Sequence, residues 1–413
     1  MFVQQNDYVH SSDSYIFPRF KKALSRHEAI VCLLNAAIGA GILRLGSGFR
    51  CGIVLALIMA AVTCLLNYAS FWFYSRAIAS TSASSFVEIW SVCIGRSSIA
   101  IPVIASVSCS IIFSMWYISF IIKSIESILS NMSLSIIKQY LNHTSLVLGV
   151  YFIFVFPHCF NTQLKPIYYI SFISLCCLAL LLFHSIYWLY YEIDHNGFDP
   201  RNELKLFSFD KNALSCLNSF ITAYAVYPLS WPGVRHYEEI SYSNLITIFK
   251  KESVICFLLY SVFGTVAYFT FFEKNTGGLI LSYYQSGFLR LSAEIVLIGM
   301  MALSLPLFIN SSRYNLMEAI FPIKSFEVNN SIWVPLGIVS SFISAFLAIS
   351  QGRAEIIINI LGEVSPPLLV FVFPPILFLA SDSHKTSLSK TSAWSFLMLG
   401  LLYLGFTLYN LLK

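Results

Sequence analysis

Charge is scarce in this chain. Asp, Glu, Lys and Arg together make up 11% of its 413 residues, against about 25% in an ordinary soluble domain, and 57% are apolar, which excludes a soluble globule. The net charge of +5 is spread over many links with no basic run, so nucleic acid is not an expected partner. No Gly-x-x-x-x-Gly-Lys-Ser/Thr segment is present, so ATP is not the expected energy source. A membrane enzyme would need clustered carboxylates, or a histidine paired with an acid, near one membrane face; His158, His184 and His195 do not show the spacing of such a set, which argues against an enzyme. The ten cysteines include no Cys-x-x-Cys pair; Cys32, Cys64, Cys109, Cys176, Cys177 and Cys256 fall in apolar segments and read as packing residues. Residues 1–28 are polar and carry Arg19, Lys21, Lys22 and Arg26 before the first apolar run, so no cleavable signal is expected and the first helix serves as signal anchor.

Long hydrophobic runs are what the chain does have. Crossing roughly 30 Å of hydrocarbon takes about 20 apolar residues, and such windows fall near 29–49, 52–75, 99–122, 145–160, 166–190, 213–232, 252–272, 288–310, 331–350, 354–380 and 393–412. With an odd number of spans and a cytoplasmic N-terminus, Arg76, Arg96, Lys165, Arg235, Lys250, Lys251, Arg313, Lys324, Lys385 and Lys390 lie inside. Two sequons, Asn131-Met132-Ser133 and Asn142-His143-Thr144, share the link that this topology puts outside, so Asn131 and Asn142 are expected glycosylation sites.

Two spans carry helix breakers near mid-membrane. The first contains Asn35-Ala36-Ala37-Ile38-Gly39-Ala40-Gly41-Ile42-Leu43, and the sixth contains Tyr227-Pro228-Leu229-Ser230-Trp231-Pro232-Gly233. Broken helices at membrane depth are tolerated only where they face protein, water or a ligand. Paired breaks five spans apart point to an inverted-repeat secondary transporter with its site between them. The expected fold is an all-α integral membrane protein of about 11 transmembrane helices, in a five-plus-five inverted repeat with discontinuous helices 1 and 6 and one extra C-terminal helix. Its divisions are a cytoplasmic tail (1–28), a first repeat (29–190), an extracellular or lumenal loop (191–212), a second repeat (213–380) and a short loop with the eleventh helix (381–413).

The first of these segments resembles the first-helix motif of the amino acid/auxin permease family, and within it of the sodium-coupled neutral amino acid transporters. Tyr227-Pro228-Leu229-Ser230-Trp231-Pro232 is similar to the family's sixth-helix His-Pro-x-x-x-Pro motif, with tyrosine replacing histidine. Leu303-Ser304-Leu305-Pro306-Leu307 and Glu363-Val364-Ser365-Pro366-Pro367, followed by Pro374-Pro375, resemble its eighth- and tenth-helix patterns. Arg44-Leu45-Gly46 departs from the family, as does Tyr227, and both departures bear on substrate choice and pH dependence.

The N-terminus of a half-helix presents free N–H groups and a positive dipole end, which suits a carboxylate. The substrate carboxylate is therefore expected at the N–H groups of Gly39, Ala40, Gly41 and Ile42, where absent side chains allow close approach. The resemblance implies that the amino group meets carbonyls near Ala223, Tyr224 and Ala225, with Tyr227 beside them. Asn35, one turn before Gly39, and Ser304 offer oxygens to a hard cation, and in the resembling transporters the matching residues hold the coupling Na⁺. The alternative for both is structural, an interhelical bond from Asn35 and a bond from Ser304 to its own helix. Arg44 is expected to snorkel to an interface, to face the outer vestibule, or to pair with Glu294 or Glu363. Trp116, Tyr117, Tyr224 and Trp231 are candidate pocket walls.

The expected function is alternating-access transport of a neutral amino acid, driven by Na⁺ in preference to H⁺. No cofactor is called for beyond the coupling ion, and the partners are a small amino acid and membrane lipid, with the protein a monomer. The competing readings are a proton-coupled vacuolar or lysosomal transporter and a non-transporting sensor of the same fold; the membrane is the plasma membrane or a vacuolar/lysosomal one.

Overall fold

The computed structural model describes residues 24–81, 83, 85–131, 142–160, 165–196, 204–208, 213–224, 241–271, 287–320, 330–350, 355–381 and 385–412. Every element among them is helical: α1 (Arg26–Gly48), α2 (Ile53–Thr81), the short α3 (Phe86–Cys93), α4 (Ala100–Asn131), α5 (His143–Val150, continued to Phe160), α6 (Lys165–Asn196), α7 (Ala213–Tyr224), α8 (Tyr242–Phe271), α9 (Phe288–Ile320), α10 (Asn330–Ile349), α11 (Glu355–Pro367), α12 (Phe373–Ala380) and α13 (Ser387–Leu412). A helix satisfies its own backbone hydrogen bonds, which is what a hydrocarbon environment demands. Among the described residues nine helical stretches are long and apolar enough to span. Nine of the eleven expected windows fall on these stretches, with α11 and α12 forming one span across a π turn at Leu368–Val372; the window 29–49 falls on α1, and of the window 213–232 only the part to Tyr224 is described, as α7. Pro366, Pro367, Pro374 and Pro375 flank that turn, and each removes a backbone donor from the ladder.

The outer surface is apolar. Leu65, Phe183 and Leu402 are about 70% exposed at 68%, 69% and 72%, which suits lipid and not water. Polar groups turn inward instead, and α9 is buried along most of its length.

The packing pairs the two halves. The first span lies against the sixth (α1 on α7), the second against the seventh (α2 on α8), the third against the eighth (α4 on α9) and the fourth against the ninth (α5 on α10). Reciprocal contacts between spans five apart are what a repeat related by a two-fold axis in the membrane plane produces. Helix α1 is central to this packing and touches α6, α7, α8 and α9.

The turn that joins α1 to α2 is strapped. Residues 204–208 cross it, with Ile53 N–H donating to the Lys205 carbonyl (3.1 Å), Val54 N–H to that of Leu206 (3.2 Å) and Ser208 N–H to that of Cys51 (2.8 Å). The strap thereby satisfies first-turn donors of α2 that have no intrahelical acceptor. Gly52, at φ +92°, makes this possible, because a Cβ there would stand 2.7 Å from the Leu206 oxygen.

Two expectations are corrected. The backbone of α1 stays helical from Arg26 through Gly39 and Gly41 to Gly48, so the first span has no interruption here and the N–H groups of residues 39–42 belong to the helix ladder. Glycine only lowers the cost of a break; it breaks a helix when a competing partner takes its backbone groups, and here side chains fill the space beside the glycines. Arg313 is not in a cytoplasmic link but inside α9, fully buried. It donates to the Cys159 carbonyl (2.9 Å), the His158 carbonyl (3.3 Å) and Asn310 Oδ1, and it stacks on Trp333 at 4.4 Å. Orphan carbonyls at the end of α5 thus receive a cation, as helix C-termini favour.

Candidate functional site

Gly39 and Gly41 are contact points, and each faces a phenol. A Cβ on Gly39 would overlap the Tyr117 hydroxyl, with Tyr117 Cζ at 3.3 Å and Ser304 Oγ at 3.4 Å next. A Cβ on Gly41 would overlap the Tyr260 hydroxyl and stand 2.8 Å from Tyr260 Cζ and 2.9 Å from Ala223 Cβ. The missing side chains therefore admit α4 and α8 to the backbone of α1.

The two tyrosines behave differently. Tyr260 donates to the carbonyls of Ala37 (2.8 Å) and Ala223 (3.0 Å), so one hydroxyl ties α1 to the end of α7. Tyr117, 1% exposed, packs edge-on against Phe308 at 4.9 Å, and no protein group among the described residues bonds its hydroxyl. A buried hydroxyl without a partner costs about 1–3 kcal/mol, so a chemical partner beside Gly39 has energy to gain.

Immediately next to it lies an oxygen cluster. Asn35 Nδ2 donates to Ser171 Oγ (3.2 Å) on α6, which turns Asn35 Oδ1 toward Ser304 on α9. Ser304 Oγ is 2.9 Å from Asn35 Oδ1 and 2.9 Å from the Met300 carbonyl; Ser174 Oγ is 3.0 Å from Ser304 Oγ and 3.1 Å from the same carbonyl. Four close oxygen–oxygen contacts share two hydroxyl protons. All four side chains are buried, at 0–1% exposure, and none is charged. A surplus of lone pairs over donors in a dry site is an environment a small hard cation relieves.

The structure thus brings Asn35 and Ser304 together and sets both beside Gly39. It also contains each structural alternative, since Asn35 bonds another helix and Ser304 bonds back to Met300. Ala223 and Tyr224 are buried at the end of α7, with Tyr224 edge-on to Tyr260 at 5.1 Å. Ala225, Tyr227 and Trp231 lie outside the described residues, as do the side chains of Ala40, Ile42, Arg44 and Asn131. Glu294 is paired with Arg290 at 3.1 Å and accepts from Ser127, so its partner is local. Trp116 packs on Gly362 of α11, 3.0 Å from where a Cβ would stand. Asn142 is exposed and caps α5, its Oδ1 accepting from Ser145 N–H at 2.8 Å. No group of three metal-ligating side chains occurs among the described residues.

Ser171, Ser174, Tyr260 and Glu252 were not singled out by sequence reasoning. Ser171 and Ser174 are three residues apart on one face of α6, a spacing that in hindsight matches a helix presenting oxygens to a single neighbour.

The family described as transmembrane amino acid transporter protein matches residues 22–413. Among solved structures, a substrate-bound, outward-open Na⁺-coupled sialic acid symporter is 11% identical, with a TM-score of 0.59 over 93% of this chain and 90% of that one. MhsT in complex with L-phenylalanine is 13% identical, with a TM-score of 0.59 over 95% and 100%. A manganese transporter of Eremococcus coleocola is 10% identical, with a TM-score of 0.59 over 92% and 86%. The cargoes differ; the fold is shared.

Proposed function

Because this chain belongs to the family of transmembrane amino acid transporter proteins, we propose that it moves a neutral amino acid by alternating access, with Na⁺ bound at the Asn35–Ser304 cluster as the driving ion. One observation carries this reading: the oxygen cluster of Asn35, Ser174, Ser304 and the Met300 carbonyl, uncharged and short of hydroxyl protons, stands directly beside Gly39 and the unpartnered Tyr117 hydroxyl. Cation and substrate sites that share a wall can stabilise each other's occupancy. Reciprocal coupling of that kind is what ion-driven transport requires.

In this mechanism the substrate displaces the two phenols from the glycines. Its carboxylate takes the Tyr117 hydroxyl and the N–H groups of Gly39 to Ile42 as α1 loosens there, while its ammonium takes the Ala223 carbonyl that Tyr260 holds in the closed arrangement. A neutral zwitterion fits because the described wall carries no charge of either sign.

The test is a panel of radiolabelled amino acids offered to proteoliposomes under an inward Na⁺ gradient or with choline replacing Na⁺. Uptake of a neutral amino acid that collapses in choline supports the reading. Equal uptake in choline, with loss when a proton gradient is dissipated, refutes Na⁺ coupling; binding without flux refutes transport.

A further inference from the structure

Glu252 is the buried acid that the mechanism above leaves unused. It lies in α8 one residue beyond Lys250 and Lys251, whose side chains are exposed, yet it turns inward and is 3% exposed. Its carboxyl accepts from the Ser253 hydroxyl at 3.1 Å and from the Cys256 thiol at 3.4 Å. The titratable groups facing it are Cys64 from α2, Tyr224 from α7, and Cys256 and Tyr260 from its own helix. Among the described residues no titratable group of α1 or α6, which also pack on α8, faces it. No basic side chain among the described residues makes an ion pair with it.

An ionised carboxylate in that position would have two weak neutral donors and no counter-charge, a placement that burial strongly disfavours. Serine hydroxyls and thiols can both donate and accept, so they serve a protonated acid as well as an anion; a lysine could not. Glu252, Cys256 and Tyr260 recur every four residues and line one face of α8. That face ends at the hydroxyl that ties Ala37 to Ala223. The wall that keeps Glu252 dry includes Tyr224, the last described residue of α7, and Cys64, whose thiol donates to the Ser253 carbonyl at 3.4 Å.

We propose that Glu252 is a proton-binding site linked to the α1–α7 junction: the carboxyl holds a proton while Tyr224 and Tyr260 are packed, and gives it to water when α7 withdraws and the wall opens. The transfer is a simple acid dissociation, carboxylic acid and water to carboxylate and hydronium, reversed on closing. The sign follows. A proton bound in the closed arrangement and lost in the open one makes low pH favour closure and high pH favour opening, by tenfold per pH unit across the titration of a single group. The linkage to flux rests on the transport reading above; the proton site itself does not.

Two measurements separate them. In pH-difference infrared spectra of the reconstituted protein, wild type is expected to show a protonated carboxylic acid band that Glu252→Gln removes and Glu294→Gln keeps, because Glu294 has Arg290. A wild-type band untouched by Glu252→Gln, or no such band at all, overturns the site. In substrate counterflow, wild type is expected to change with pH with the slope of one proton and Glu252→Gln to be flat; a Glu252→Gln profile identical to wild type overturns the linkage. If Glu252→Gln yields no folded protein, Glu252→Asp keeps the acid and should shift the band, and an unshifted band counts against the site. Absence of counterflow in wild type at every pH defeats the transport reading, while the infrared result still decides the proton site.

Discussion

Replacing Gly39 by alanine tests the centre of the site, because the structure supplies both a cost and its remedy. The new methyl would overlap only the Tyr117 hydroxyl; the next atoms, Tyr117 Cζ and Ser304 Oγ, stand at 3.3 and 3.4 Å and need to yield by a few tenths of an ångström. Overpacking of this kind costs about 1–3 kcal/mol, and alanine returns about 0.5–1 kcal/mol in a helix interior, which leaves a net loss of about 0–2.5 kcal/mol. Tyr117→Phe removes the obstructing atom. It deletes a buried hydroxyl with no protein partner, so it should leave stability unchanged or raised. The double variant Gly39→Ala/Tyr117→Phe should then equal or exceed wild type in thermal unfolding, a non-additivity of more than about 1 kcal/mol between residues in direct contact.

Function should separate from stability in the same set. If the Tyr117 hydroxyl receives the substrate carboxylate, Tyr117→Phe loses a hydrogen bond to a charged group, worth about 1.5–3 kcal/mol, and the KM for uptake should rise roughly tenfold or more in a protein at least as stable as wild type. Detergent-solubilised thermal unfolding and initial-rate uptake are the two assays. Strict additivity in the stability cycle would show that α4 does not touch α1 at Gly39. An unchanged KM in Tyr117→Phe would remove the hydroxyl from the substrate site.

If both oxygens serve one ion, as proposed, Asn35→Ala and Ser304→Ala should each raise the Na⁺ concentration for half-maximal uptake, and the double variant should cost less than the sum; strict additivity would argue for separate roles. Gly264→Ala should destabilise by about 1–3 kcal/mol, because its methyl would overlap the ring of buried Phe49; a larger-to-smaller change, Phe49→Leu, should restore much of the loss in thermal unfolding. Asn142→Gln should abolish one glycosidase-sensitive gel shift while leaving the fold intact, since glutamine exposes the cap of a single helix turn; a shift that persists with Asn131 and Asn142 both replaced would contradict the outward placement of that link.

Spans were legible because hydrocarbon thickness imposes a minimum length of apolar sequence, and windows such as 52–75 and 331–350 coincide with α2 and α10. The meeting of Asn35 with Ser304, 269 positions apart, was legible only through the resemblance, as no local pattern links two small polar residues on different helices. What escaped was direction. Glu252 follows two lysines, and a charge cluster at the edge of a span reads as an interface, yet a 100° step along the helix takes the acid from the lysines' exposed face into the core. Arg313 escaped for the opposite reason: a lone arginine past an apolar window reads as a link residue, and only the helix running on to Ile320 brings it under Cys159 and Trp333. Continuity of α1 through Gly39 and Gly41 depends on Tyr117 and Tyr260, which are remote in sequence, so a glycine pair alone cannot distinguish a break from a close approach.

The closed arrangement of α1 sets what a substrate must supply. Tyr260 holds Ala37 and Ala223 together, Arg26 donates to Asn244 Oδ1 at 2.6 Å near the opposite end of α1, and the strap at 204–208 covers the turn after Gly48. Each such bond is worth about 0.5–1.5 kcal/mol net, so parting α1 from α7 and α8 costs only a few kcal/mol in ties, well within what a bound zwitterion can return. A ligand shifts the equilibrium only by its differential affinity for the two arrangements. In the proposed mechanism the difference is built in: the Ala223 carbonyl, which accepts from Tyr260 here, becomes free to an ammonium on opening, while the Tyr117 hydroxyl, without a partner among the described residues, gains the carboxylate. A molecule lacking either charged end would pay to open the junction and recover less, which is how an uncharged wall can still select an amino acid.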